Sequence, residues 1–405
     1  MRDSVQGSVR GFIASIDWRI LLAAIGTAAA GDSVMGYMPL FVGAAVDDLS
    51  VSYAAAGWIT SLEIGAGALA LMVLSPFTGI VKRKHFAYAG LAVFITGAVI
   101  AMVGETYLQV MAGRTLLGFG AGTVATMNAA CFGAARNPER TIAVIMVCGL
   151  AYMSGAIRLA SEMVEQWGLA GAYGTHLLFA VGGGVLYFLI PKAPREGAPW
   201  REAFSGADNT VKKGGGTTLL PMLVIGAFFV MGISESAVWS FVERKGVAIG
   251  MSASEAGGVI SFGFLMGIAG SLTAIVLGAR LGRALPVATG MALFVGGILV
   301  SFGAQDAGTY RIGVVMWFLG FTLMMPYITG TLAQIDKEGR FVAMSASGMI
   351  FANALGPSIG GFVMDAGSVD LVRIVIPVVV GACACVMVPV IFRLDRAIKT
   401  ANAAV

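Results

Sequence analysis

The chain has 405 residues, of which 58% are hydrophobic and only 12% are charged, and its mean hydropathy is +0.86. A soluble domain is about half apolar and one quarter charged, so this composition excludes water as the main solvent. Uncharged runs such as 86–103 and 374–391 are long enough to cross a hydrocarbon core of roughly 30 Å. The sequence therefore predicts an all-α integral membrane protein.

Twelve apolar segments follow one another along the chain, and each is expected to form a transmembrane helix. The first follows the mixed-charge stretch 1–19 and precedes eleven others, so it is expected to be retained and not cleaved as a signal peptide. The predicted segments are about 20–46, 53–80, 85–103, 106–134, 140–165, 169–191, 217–243, 252–279, 284–303, 308–335, 340–366 and 370–393.

Basic residues set the expected orientation of these helices. Most of them fall in the terminal segments and in loops on one side, whereas the other side keeps only Arg244, Lys245, Arg311 and Arg373. The positive-inside rule then places both termini in the cytoplasm of a bacterial inner membrane. The net charge of +4 reflects this topology, so no nucleic-acid partner is expected.

The longest polar interruption, 191–218, divides the twelve segments into six and six. Its mixture of Pro, Gly, Lys and Arg is typical of a linker between two domains. We therefore expect an N-terminal six-helix bundle at 1–191, a cytoplasmic linker at 192–216 and a C-terminal six-helix bundle at 217–405.

The two halves also show weak self-similarity at a shift of about 200 residues. This shift aligns residues of the second segment with residues of the eighth, and such parallel repeats occur in secondary transporters. The aligned pairs include Ser52 with Ser252, Gly57 with Gly257, Ser61 with Ser261 and Arg83 with Arg283. We expect two pseudo-symmetric halves.

Three sequence motifs have a recognisable pattern. The fourth segment contains R-x-x-x-G-x-G-x-G, beginning at Arg114 and including Gly118 and Gly120. The eleventh contains G-P-x-x-G-G, beginning at Gly356 and Pro357. The loop after the second segment of each half is basic, with Arg83 in the first half and Arg280, Gly282 and Arg283 in the second.

These motifs resemble those of the major facilitator superfamily, and the likeness covers essentially the whole chain. The resemblance implies a twelve-helix secondary transporter, in which the residues just named act in conformational change. Both loops lack the acid of the family motif. The G-P-x-x-G-G pattern occurs in the family's antiporters, usually in the fifth segment, so its position in the eleventh gives weak support for export.

Ionisable residues within the apolar segments are the candidate coupling site. A charge near the bilayer centre costs about 2.5–17 kcal/mol unless it is paired or faces an aqueous cavity. Glu63 and Arg114 fall at similar predicted depth on different helices, and Asp32 is nearer to mid-membrane. We expect Asp32 and Glu63 to compete for Arg114 and for a proton. The alternative is a static ion-pair network that fixes helix packing.

Candidate substrate residues are fewer and mostly aromatic or polar. Arg158 could hold a substrate carboxylate, or it could simply pair with Glu162 one turn later. In the second half Glu235 is the one deep acid. The other candidates, each of which could instead be a packing or lipid-interface residue, are Trp239, Trp317, Tyr327 and Asn353.

The sequence favours a transporter over an enzyme or a channel. It has two histidines, no HExxH or GxSxG pattern and no nucleotide-binding loop, so neither a metal, a cofactor nor direct use of ATP is expected. We predict a monomer in the lipid bilayer that carries a small organic solute, driven by protons, with an organic anion as the favoured substrate. The alternatives are a drug/proton antiporter that exports neutral or cationic compounds and a sodium-coupled symporter.

Overall fold

In a computed structural model, residues 17–31, 33–134, 138–199, 219–278, 280–335 and 340–403 are described. These residues form α-helices joined by short turns, and no strand occurs among them. The helices are α1 Trp18–Gly31, α2 Ser33–Leu49, α3 Tyr53–Leu74, α4 Arg83–Val103, α5 Tyr107–Ala134, α6 Pro138–Gly184, α7 Leu219–Ala248, α8 Ala253–Leu277, α9 Ala284–Gly303, α10 Ala307–Ile335 and α11 Arg340–Ala403. Two 3₁₀ turns, Ser75–Gly79 and Val185–Leu189, follow α3 and α6.

The all-helical prediction is confirmed, and most predicted helix ends lie within a few residues of the observed ones. Ten stretches of the described residues are long and apolar enough to cross a membrane. The helix α5, with 28 residues, is not among these ten. The chain is a multi-pass membrane protein.

Two pairs of predicted helices are continuous in the structure. Segments 140–165 and 169–191 form α6, which is interrupted only at Gly168, where φ is +55°. Segments 340–366 and 370–393 form α11, whose 64 residues contain two apolar stretches, Met344–Gly367 and Leu371–Arg396. The predicted span end at 393 thus lies within three residues of the end of the second apolar stretch, and the helix itself continues beyond it to Ala403.

The described residues group into two compact units that do not follow the midpoint of the sequence. Unit 1 comprises the described parts of Met1–Gly36, Gly65–Met153 and Tyr173–Val211. Unit 2 comprises Tyr37–Ile64, Ser154–Ala172 and the described part of Lys212–Val405. Most of the predicted linker lies outside the described residues, and the two six-helix bundles stay a prediction.

In unit 1, glycines bring α4 and α5 into direct backbone contact. A Cβ atom at Gly120 would overlap the backbone nitrogen of Phe94 and lie 2.7 Å from the carbonyl oxygen of Gly90. A Cβ atom at Gly97 would lie 2.5 Å from the carbonyl oxygen of Gly113 in the same way. Small residues at such crossings allow the close helix packing on which membrane bundles depend.

We expect Gly120→Ala to destabilise the protein, because its methyl group has no space unless α4 and α5 move apart. Overpacking of this kind costs about 1–3 kcal/mol. Gly182 is the matched control, since its Cβ would meet nothing within 4 Å. Thermal unfolding of the purified variants should show a loss for Gly120→Ala and none for Gly182→Ala. Equal unfolding temperatures would contradict the packing argument.

Two helices of unit 2 begin with side-chain caps. Ser252 and Glu255 form a reciprocal capping box at the start of α8. Asp306 caps α10 by accepting hydrogen bonds from the Thr309 hydroxyl at 2.6 Å and from the Thr309 amide at 2.9 Å. These hydrogen bonds hold the pKa of the Asp306 carboxyl below its usual range.

Candidate functional site

A group of buried polar side chains lies inside unit 1. Arg114 on α5 and His176 on α6 are both fully buried. The hydroxyl of Ser33 on α2 lies 2.5 Å from Nε2 of His176, and the His176 ring packs edge-on against Phe94. Arg114 is near enough to His176 to interact with it electrostatically. The side chains of Arg114, His176 and Ser33 are therefore buried together inside unit 1.

The structure describes only one of the two carboxylates that were predicted to lie near Arg114. Asp32 lies outside the described residues, although its neighbours Gly31 and Ser33 are both helical. Glu63 is fully buried on α3 and belongs to unit 2, whereas Arg114 belongs to unit 1. The predicted grouping of Asp32, Glu63 and Arg114 stays a prediction.

In unit 2, Glu235 lies one turn before Trp239 on α7, so both residues are on the same face of that helix. Glu235 is partly exposed and forms no hydrogen bond or ion pair with any residue in the described part of the chain. Trp239 is part of an aromatic cluster: its ring centroid lies 6.1 Å from that of Trp317 and 5.7 Å from that of Phe318. Glu235 thus lies one turn from an aromatic cluster whose two tryptophans are buried.

The other predicted substrate residues of unit 2 make structural contacts. The Tyr327 hydroxyl donates a hydrogen bond of 3.2 Å to the carbonyl oxygen of Ala274. The carbonyl oxygen of Asn353 accepts a 3.0 Å hydrogen bond from the Ser236 hydroxyl, so the backbone of Asn353 links α11 to α7. A role in substrate binding stays a prediction for both residues.

A charged cluster lies at the end of unit 2 that contains the turns at 50–52 and 249–252, here called the 50/250 end. Arg244 lies between two carboxylates and is 8% exposed, and Glu243 is 1% exposed. The Arg244 guanidinium donates to both oxygens of Glu243 at 2.7 and 2.9 Å and to both oxygens of Asp47 at 2.8 Å. The pairing with Glu243 uses two nitrogens and is bidentate, whereas Nη1 alone donates to Asp47, and together the two carboxylates satisfy this buried charge.

Arg158 also lies at the 50/250 end and has partners there. Its guanidinium forms an ion pair of 2.7 Å with Glu162, as the spacing of four residues predicts, and both side chains are nearly half exposed. It also donates hydrogen bonds of 3.0 and 3.2 Å to the carbonyl and hydroxyl oxygens of Ser254. These contacts favour a structural role for Arg158 over the binding of a substrate carboxylate.

Arginines of the two basic loop motifs contact backbone carbonyls in unit 1 and a carboxylate in unit 2. Arg83 is buried in unit 1 and donates to the carbonyl oxygens of Thr78 at 2.8 Å and Lys192 at 3.4 Å. In unit 2, Arg283 pairs with Asp395 of α11 at 2.6 Å. The second loop motif, which has no acid of its own, thus forms an ion pair with an acid on α11.

The remaining motif residues shape the backbone. Arg280 is exposed, and Gly282 has a φ of +72°, which favours glycine. A Cβ at Gly67 would lie 3.0 Å from the carbonyl oxygen of Gly118, so α3 and α5 approach closely in unit 1. Gly356 and Pro357 pack in the same manner against Ser236 and Gly57 in unit 2.

A groove of about 650 Å³ between α8 and α10 contains none of the predicted substrate residues. Its lining includes Phe262, Ile312, Glu255 and Arg311, and the first two side chains are exposed apolar groups. Because exposed apolar side chains on a membrane helix contact lipid, we do not assign a solute to this groove.

Comparison with known proteins places this arrangement in a family. The family model described as Major Facilitator Superfamily matches residues 20–335, more than three quarters of the chain. The chain belongs to the major facilitator superfamily. This family consists of transporters and not of enzymes, so the predicted class is confirmed. A search of curated proteins found no match in sequence.

Solved transporters of this superfamily share the fold at low sequence identity. A peptide transporter in complex with alafosfalin has a TM-score of 0.73 at 10% identity, over 93% of this chain and 95% of that one. A bacterial homologue of the iron transporter ferroportin has a TM-score of 0.67 at 14% identity, over 93% and 98% of the two chains. A D-xylose-proton symporter has a TM-score of 0.63 at 14% identity, over 91% and 94%.

Two features of this transporter escaped the sequence reasoning. His176 is a histidine within an apolar segment, and that alone is a signal for function. The Arg244 cluster was missed because Asp47 and Arg244 are near predicted helix ends and 197 positions apart. Nothing in the sequence joins the two residues before the fold is known.

Proposed function

We propose that the protein is a secondary active transporter that moves a small organic solute across a bacterial inner membrane, coupled to protons, by alternating access. The observation that carries this proposal is the complete burial of Arg114 and Glu63 on membrane helices. Ionisable groups at such positions are costly and mark substrate or proton pathways. The D-xylose-proton symporter among the similar structures adds support for protons as the coupling ion.

The proposal includes twelve crossings in two halves with both termini in the cytoplasm. The ten apolar stretches become twelve when α5 is added and the 43-residue stretch Val147–Leu189 is counted as two crossings. Its interruption at Gly168 supports that division. The basic residues then place the 50/250 end on the outer side.

A second candidate function is a proton antiporter that exports a cationic or amine-containing compound. It is favoured by Glu235, a carboxylate without a partner in the described part of the chain and one turn from an aromatic cluster. Carboxylate and aromatic faces together attract organic cations. An organic anion would instead need Arg114, because Arg158 already contacts Glu162 and Ser254.

The test is flux by the purified protein in proteoliposomes, after a thermal-shift screen of organic acids, amines and neutral compounds. A pH gradient of one unit supplies about 1.4 kcal/mol, enough for roughly tenfold accumulation at one proton per solute. We expect accumulation of a hit with the pH gradient and only equilibration without it. Accumulation driven by a sodium gradient alone would contradict proton coupling. Accumulation of the solute on the side to which protons flow indicates symport, and accumulation on the opposite side indicates antiport.

A further inference from the structure

Asp365 on α11 caps a helix that lies more than 300 positions away in sequence. Its two carboxylate oxygens accept hydrogen bonds from the backbone amides of Tyr53 and Ala54, each 3.0 Å long. These amides begin α3, where the amides of the first turn have no partner within the helix and the helix dipole is positive. A residue of the second half of the chain thus caps a helix of the first half, within unit 2.

Glu165 on α6 makes the corresponding contact in the opposite sense. Its Oε2 atom accepts hydrogen bonds from the Ser254 amide at 3.0 Å and from the Ser252 hydroxyl at 2.9 Å. These two groups lie at the start of α8. Here a residue of the first half of the chain caps a helix of the second half, again within unit 2.

The two contacts are related by one shift of the sequence. Glu165 and Asp365 are 200 positions apart, and so are the capped residues Ala54 and Ser254. The sequence repeat was predicted at the same shift from other residues. Two interactions that correspond in position and run in opposite directions are expected if the two halves form a symmetric closure.

Glycines beside both caps bring the same helices into close contact. A Cβ at Gly361 would overlap the carbonyl oxygen of Tyr53, and one at Gly57 would overlap that of Pro357. Near the other cap, a Cβ at Gly257 would overlap the side chain of Ser161. The carboxylates therefore act where the helices already touch, and separation of the helices would break both caps together.

We propose that Asp365 and Glu165, the cross-caps, form a paired closure that holds the outer end of the transporter shut and must release when that end opens. This inference rests on the proposed alternating access and on the proposed outer position of the 50/250 end. Loss of one helix cap shifts a conformational equilibrium about fivefold, and two independent caps shift it about 25-fold. The cross-caps would thereby set how often the outer end opens.

The test measures how fast a buried reporter cysteine at the closure reacts with a maleimide. The full chain carries Ser61→Cys, and its four free cysteines, Cys131, Cys148, Cys383 and Cys385, are replaced by serine. Ser61 is 7% exposed, and its hydroxyl accepts a 3.0 Å hydrogen bond from the Ser358 amide, so opening of this contact would expose position 61.

We expect labelling about fivefold faster in Asp365→Ala or Glu165→Ala and about 25-fold faster in the double variant. Asp306→Ala is the matched control, because Asp306 caps its own helix and no other in the described part of the chain, and its labelling rate should not change. Unchanged rates in a double variant that remains folded by size-exclusion chromatography would overturn the proposal. So would an equal increase in Asp306→Ala.

If the double variant does not fold, Asp365→Asn and Glu165→Gln provide the same test. Each keeps an oxygen acceptor and removes the charge, so labelling should rise about twofold per site, and no rise would overturn the proposal. The labelling measurement needs no solute. Its result is therefore separate from the flux experiment, whose failure would remove the proposed function while the effect on labelling would remain.

Discussion

Replacing Arg114 by alanine is expected to abolish transport and to destabilise the fold. Arg114 is the largest fully buried side chain of the described chain, and guanidinium cannot lose its charge to escape the cost of burial. If Arg114 pairs with Asp32 or Glu63 as the sequence predicts, its removal costs about 3–5 kcal/mol, because the carboxylate is then left buried without its partner. Thermal unfolding and proteoliposome flux measure the two effects.

Arg195→Ala is the control for this prediction, since Arg195 is exposed and its removal leaves no buried group unsatisfied. Arg114→Lys keeps the charge but loses the planar fork, so it should be more stable than Arg114→Ala and still impaired in transport. If Arg114→Ala has the same unfolding temperature and the same transport rate as Arg195→Ala, Arg114 has neither the structural nor the functional role assigned to it.

The helices could be predicted from the sequence to the extent that hydropathy marks them. For α9 the predicted and observed bounds agree, because its apolar run ends sharply at both sides. At the end of α11, hydropathy falls while the helix continues, since Arg396, Ala397 and Lys399 have high helix propensity. Hydropathy reports where the membrane ends, and in α11 the helix ends elsewhere.

The position of the break in α6 could be predicted from the sequence, but the conformation of the break could not. The predicted boundary, 165–169, contains Gly168, where the helix is interrupted. The structure uses a single residue at positive φ there, and the next amide, that of Leu169, donates a 2.6 Å hydrogen bond to Asp48. Glycine indicates a break, but the partner that satisfies the freed amide lies 121 positions away and depends on the fold.

The same distinction between local and distant contacts explains the site. Arg158 and Glu162 could be paired from the sequence because a spacing of four residues fixes their proximity on a helix. No spacing rule relates Arg283 to Asp395 or Asp365 to Tyr53, which meet only because whole helices pack together. The repeat was the one sequence signal that reached across the chain, and the cross-caps occur at its offset.

Replacement of a carboxylate by its amide isostere should show whether that carboxylate carries the coupling proton or has a structural role. If Asp32 or Glu63 must bind and release a proton in each cycle, then Asp32→Asn or Glu63→Gln should keep the fold and lose gradient-driven accumulation. Glu63 has no acidic counterpart at the 200-residue shift, where Gly263 is found, so Asp32 is the first choice and Glu63 the second. Exchange of solute at equal pH should persist, because binding and alternation need no net proton movement.

Proteoliposome transport under an imposed pH gradient of one unit measures the accumulation of solute by each variant. Glu105→Gln is the control, because Glu105 is exposed. The responsible variant should lose the roughly tenfold accumulation that such a gradient supports and should still equilibrate the solute. A fall in accumulation and exchange together, with lowered unfolding temperature, would assign that acid to the static ion-pair network. If both variants accumulate solute as the control does, neither carboxylate carries the proton, and Glu235 becomes the acid to test by Glu235→Gln, because it is membrane-embedded and has no described partner.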